Sequence, residues 1–127
     1  MEYFKTYQEV LSMEPNELQT WLEGFNVTLP TEIETIEDMQ DAARKLSILG
    51  SNFAYINSLS VYAKNAVRVE KRKGKDNKET YEDMIDRENA IHSSADNIKM
   101  LYNCLSRLIT IKQEINKEIN ISNPYNK

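Results

Sequence analysis

Lys71-Arg72-Lys73-Gly74-Lys75-Asp76-Asn77-Lys78-Glu79-Thr80 (residues 71–80) is the stretch that decides the fold. On either side of Gly74-Lys75-Asp76-Asn77, two long segments, 35–73 and 78–121, carry apolar residues at alternating three- and four-residue steps. A heptad-like seam, a turn rich in Gly and Asn, and a second seam predict a long antiparallel helical hairpin, coiled-coil-like in its packing, with a positively charged tip. In the first segment the seam is Met39, Ala42, Leu46, Leu49, Phe53, Ile56, Ala63 and Ala66, with Ser60 where a heptad asks for an apolar residue. Gly50-Ser51-Asn52 is its candidate kink, because Gly costs about 1 kcal/mol in a helix interior. The second stripe runs through Tyr81, Met84, Ile85, Ile91, Ile98, Leu101, Leu105, Leu108, Ile109, Ile115 and Ile119, and should fray over Asn120–Asn123 and stop before Pro124.

Working outward, residues 3–23 predict two short helices. Tyr3, Phe4, Tyr7, Val10 and Leu11 share one helical face, and Leu18, Trp21 and Leu22 follow a Ser12 N-cap and a first-turn Pro15. Gly24 ends the second helix, and 26–30 reads as an extended linker. Thr31 and Thr35 each offer a capping hydroxyl, with Glu34 and Asp38 three residues on. The 127 residues make a single all-α domain with a flexible tail at 122–127; three Gly and three Pro leave few places to turn. Val61, Val67, Val69, Met100 and Ile111 fall off the main seam, so oligomerisation into a helical bundle is expected, an antiparallel dimer of hairpins being one route.

Cys104 and His92 are the only residues of their kinds, which excludes an internal disulfide and any zinc ligand set built from them alone. Neither a basic-then-apolar leader nor an apolar run near twenty residues is present, so no membrane association and a cytoplasmic location are expected. The net charge of −4 hides a division. Up to Ala43 ten carboxylates face Lys5 alone, a balance of −9; from Arg44 fifteen Lys and Arg face ten acids, a balance of +5. The two ends can attract each other or two different partners. An acidic end can also mimic nucleic acid against a basic protein surface, while acids near helix starts have a purely local explanation.

Three constellations bear on chemistry. Glu34-Thr35-Ile36-Glu37-Asp38-Met39-Gln40-Asp41 and Glu79-Thr80-Tyr81-Glu82-Asp83-Met84-Ile85-Asp86 repeat the frame E-T-x-E-D-M-x-D. Such carboxylates on helices can hold magnesium, as in all-helical nucleotide pyrophosphohydrolases, but in a hairpin the two octets start helices at opposite ends, where capping and the macrodipole already account for them. Lys64, Arg68, Lys71, Arg72, Lys73, Lys75 and Lys78 put seven cations in fifteen residues, offset by Glu70 and Asp76. They are the candidate ligand-binding residues, suited to phosphates, with Tyr55, Tyr62 and Tyr81 near enough to stack bases. The plain alternative is that they complement a helix C-terminus and keep the tip soluble. Cys104 reads as core or interface packing, Trp21 as an anchor for the short helices, and His92 beside Ser93 and Ser94 makes no catalytic pair, since adjacent helical residues do not face each other. No catalytic residue, metal ligand or cofactor site is assigned.

AKNAVRVEKRKGK (63–75), YEDMIDRENAI (81–91) and IKMLYNCLSRLITIKQEINKEI (98–119) together resemble small, mostly uncharacterised all-helical proteins of bacteriophages and prophages of Gram-positive bacteria. The resemblance covers roughly residues 63–120, about half the chain. It implies action by binding in the host cytoplasm: an inhibitor that counters host defence by blocking a defence protein or sequestering a nucleotide signal. The alternatives are a nucleic-acid accessory factor in phage recombination or replication, which would use the basic tip, and a magnesium-dependent nucleotide hydrolase.

Overall fold

The computed structural model describes residues 4–74 and 78–122, and every regular element among them is helical. In chain order these are α1 (Tyr7–Leu11), α2 (Pro15–Glu23), α3 (Ile36–Lys71) and α4 (Lys78–Ser122). Helices α3 and α4 pack along each other as the expected antiparallel hairpin, about 54 Å and 68 Å long at the α-helical rise. The reversal uses Gly74 in the left-handed region (φ 97°), a conformation open to glycine because it has no Cβ. Three expectations lie outside the described residues: Tyr3 on the first helical face, Lys75 at the tip, and the tail from Asn123 onward.

The seams predict the core well. Ala42, Leu49, Ile56 and Ala63 of α3 and Ile91, Ile98 and Leu105 of α4 are fully buried. Ser60 is buried among them, so the seam keeps its path through the polar position. Helix α3 is unbroken across Gly50-Ser51-Asn52. Gly50 leaves room for the Tyr102 ring, whose edge lies 3.4 Å from where a Cβ would be. Counting from that contact, the start of α3 falls beside the turn around Ile115, and the last turns of α4 extend beyond it.

Helices α1 and α2 and the linker form an arm that lies along one face of the hairpin, touching both long helices. Arg87 Nη1 donates to the Val10 carbonyl oxygen (3.0 Å) while its Nε holds Asp83 (2.9 Å). The Tyr55 hydroxyl accepts from the Lys5 amide and donates to the Lys5 carbonyl oxygen. Asn52 Nδ2 donates to the Phe25 carbonyl oxygen (3.0 Å), and Asn97 Nδ2 to Asn26 Oδ1 (2.9 Å). Around these bonds Phe4 stacks on Tyr55 (centroids 4.2 Å), and Trp21 meets Phe25 edge-on (5.1 Å) and Tyr55 edge-on (6.2 Å), the anchoring role expected of Trp21.

The helix ends depart from the sequence expectation at several positions. Helix α1 starts at Tyr7 rather than Tyr3, because Thr6 and Glu9 form a capping box that the apolar pattern concealed. Ser12 does not cap α2; its hydroxyl donates to the Glu9 carbonyl oxygen (2.6 Å) and closes α1 instead. Pro15 opens α2 and Gly24 closes it, as expected. Of the two threonines before α3, Thr35 is the cap: Asp38 N–H donates to its hydroxyl (3.0 Å), and the Asp38 carboxylate accepts from the amides of Glu34 (3.0 Å) and Thr35 (3.2 Å). Thr80 lies inside α4 and does not repeat that role. Val67 is half-buried rather than exposed, and the helical span of α4 reaches Ser122.

Candidate anion-binding site at the hairpin tip

The i, i+4, i+7 spacing of Lys64, Arg68 and Lys71 puts them in a row on one face of α3, turned away from the Tyr55–Tyr62 side that receives the arm. Arg72 follows as the C-cap of α3, and Lys78 opens α4. All of these are exposed, and among the described residues none of the five makes an ion pair. Lys73 differs, since its ammonium is 3.2 Å from the half-buried Glu70 carboxylate. The fold thus brings six of the seven candidate cations to one end of the molecule and leaves five of them unneutralised among the described groups.

At the turn a groove of about 480 Å³ is lined by Glu70, Lys71, Gly74, Lys78 and Tyr81. Its volume is in the range of small-molecule sites. Two positions there carry opposite electrostatic meaning. Lys71 sits in the last turn of α3, where the macrodipole is negative and a cation is locally favoured. Lys78 sits exposed in the first turn of α4, where the dipole is positive and favours the neighbouring Glu79 instead, so the dipole does not account for Lys78. A phosphate in the groove would meet both ammonium groups and the N-terminal end of α4.

Of the three tyrosines, only Tyr81, half-buried in the groove, is placed beside Lys71 and Lys78. Tyr55 is committed to the arm, and its hydroxyl is pushed up from the ordinary phenol range, by burial first. Tyr62 packs against Tyr7 (centroids 5.1 Å). Tyr7 itself is buried with its hydroxyl unpartnered, and burial raises its pKa against the opposing pull of Arg87.

The two acidic octets do not meet. Asp38 is the capping carboxylate of α3, held below the usual range by the Glu34 and Thr35 amides, and Asp41 pairs with Arg44 (3.1 Å) and Lys45 (3.2 Å). Asp83 lies at the other end, engaged by Arg87. Among the described residues no group of three or more His, Cys, Asp or Glu is placed to hold a metal ion. Cys104 is exposed on α4, which corrects the core half of the core-or-interface expectation and leaves the interface half open. His92 is exposed, 3.4 Å from the Asp96 carboxylate.

Arg87 is the principal side chain that sequence reasoning missed. It is the one charged residue buried among the described residues, and its position on the stripe of α4 one heptad before Ser94 and two before Leu101 was the available signal. No protein family, curated protein or solved structure matches the chain. No helix among the described residues is long and apolar enough to cross a membrane.

Proposed function

We propose that this protein is a non-enzymatic binding protein that holds a phosphate-bearing ligand at the hairpin tip, and that in a phage setting it counters host defence by sequestering a nucleotide signal in the host cytoplasm. The observation that carries the reading is that Lys71 and Lys78 line one groove together with Tyr81, Lys78 standing at a helix end where the dipole does not favour a cation. The phage setting rests on the resemblance of residues 63–120 alone. Such a ligand would be bound by its charge and by one aromatic surface, which gives marked salt dependence and modest base discrimination.

Native mass spectrometry of the untagged protein, repeated after denaturation, tests this directly. A nucleotide released from the wild type, and lost from a Lys71→Glu/Lys78→Glu variant of unchanged helicity, supports the proposal. Protein that carries nothing and binds neither mono- nor dinucleotides at low salt overturns it. Binding of single-stranded DNA in place of nucleotides transfers the site to the nucleic-acid reading, and turnover of a nucleoside triphosphate with magnesium transfers the protein to the hydrolase reading.

A further inference from the structure

A second surface, remote from the tip, has the composition of an interface. Met100, Cys104, Leu108, Ile111, Ile115 and Ile119 follow one another at four- and three-residue steps along the outer side of α4. Leu108 is half-buried, and the others are exposed: Met100 and Ile119 to 56%, Ile111 to 49%, Ile115 to 45%. The end of the arm, at Pro30–Ile33, reaches the edge of this stripe and leaves a shallow groove beside Leu108, Ile111 and Ile115 without covering them. Isolated exposed apolar residues need no explanation, but a row of them at four- and three-residue steps along one side of a helix is a surface that a second helix can fill.

We infer that the seam is filled by a second copy of this chain, with the two α4 helices antiparallel about a twofold axis passing near Thr110 and Ile111. The charges beside the seam select this occupant and this direction. Arg107 and Glu114 lie seven residues apart on the same flank, and both are exposed. In antiparallel pairing about that axis, Arg107 of each copy faces Glu114 of the other, giving two interchain ion pairs. In parallel pairing the flanking contacts join positions five residues apart, so Arg107 would face Lys112 twice, a like-charge arrangement that disfavours that register.

The arrangement has a consequence for the tips. Each tip lies some thirty residues along α4 from the axis, about 50 Å at the helical rise, so the two tips point in opposite directions. The dimer carries two separate tip sites and no ligand bridging them, and this interface stands or falls independently of the ligand proposed for the tip.

Sedimentation velocity of the full chain across a concentration series, with circular dichroism to verify folding, reads the association. Wild-type protein is expected to dimerise. Ile111→Glu, which places two carboxylates at the axis, should raise the dissociation constant by about 100-fold or more. Arg107→Glu should weaken association by about fivefold, and Arg107→Glu/Glu114→Arg should restore it. Cys104 is a built-in reporter of direction: in the antiparallel dimer the two thiols are about 20 Å apart along the axis and do not cross-link under mild oxidation. A wild-type monomer at all concentrations, a dimer indifferent to Ile111→Glu, or rapid Cys104–Cys104 cross-linking would each overturn the inference.

Discussion

The middle of the hairpin and the far end of α4 are both rich in isoleucine, yet one is core and the other is surface. Ile91 and Ile98 are fully buried in the part of α4 that both α3 and the arm reach, whereas Ile111, Ile115 and Ile119 lie where the arm has ended and α3 is just beginning. The difference is one of coverage. An apolar stripe on a helix is a demand for a partner, and whether the chain meets that demand itself depends on how far its other elements reach.

The sharpest way to test the comparison is to truncate one residue from each region. Ile98→Ala removes a fully buried side chain and should cost about 2–5 kcal/mol in urea unfolding, while Ile119→Ala should stay within about 0.5 kcal/mol when the protein is monomeric. A comparable loss at both positions would show that the end of α4 is packed as well as its middle.

The arm is what separates the two regions, and Arg87 is its most buried polar fastening. Arg87→Ala leaves the Val10 carbonyl without that donor and Asp83 without its partner, at a cost of about 1–3 kcal/mol. Hydrogen exchange should accelerate in α1 and α2 much more than in α3. Uniform acceleration would mean that arm and hairpin unfold as one unit.

Gly50→Ala should act in the opposite direction. A Cβ there meets the Tyr102 ring edge at 3.4 Å, an ordinary contact, and the helix gains up to about 1 kcal/mol from the better helix former. A clear loss of stability would show that the Tyr102 ring has no freedom to accommodate a methyl group.

The capping boxes give the smallest effects. Thr35→Ala should cost about 1 kcal/mol. Asp38 and Glu9 are held below their ordinary range by hydrogen bonds from their capping partners, so their contribution is present above the unfolded carboxylate pKa and is lost as pH falls through the lower folded value. Glu34, raised by hydrogen bonding to Glu32 and by its charge, runs the other way: its contribution is present in acid and is lost as pH rises through its folded value. Acid titration of unfolding in Asp38→Asn should remove Asp38's share of the first trend and leave Glu9's share and the second trend.

The hairpin was legible because its signal is repeated over many turns. Met39 to Ala66 and Tyr81 to Leu108 repeat the heptad often enough that Ser60 and Gly50 do not disturb it. The capping boxes and the fate of Ser12 were harder, because a hydroxyl beside a helix end can close the helix before it or open the one after it, and a single residue carries no periodicity to choose between them. The tip cations were legible as a cluster in sequence, but that Lys73 pairs with Glu70 while Lys71 and Lys78 line a groove with Tyr81 depends on how the turn closes.

By itself, the sequence determined the two long helices, their reversal near Gly74, the residues of the shared core and the concentration of positive charge at one end, since each follows from local periodicity or composition. Only the tertiary structure decided that Arg87 is a buried fastening, that Tyr55 is occupied by the arm, and that Cys104 and Ile115 are exposed. Those outcomes depend on where the linker lays the arm along the hairpin, and contacts between residues 50 to 77 positions apart leave no periodic trace in the sequence.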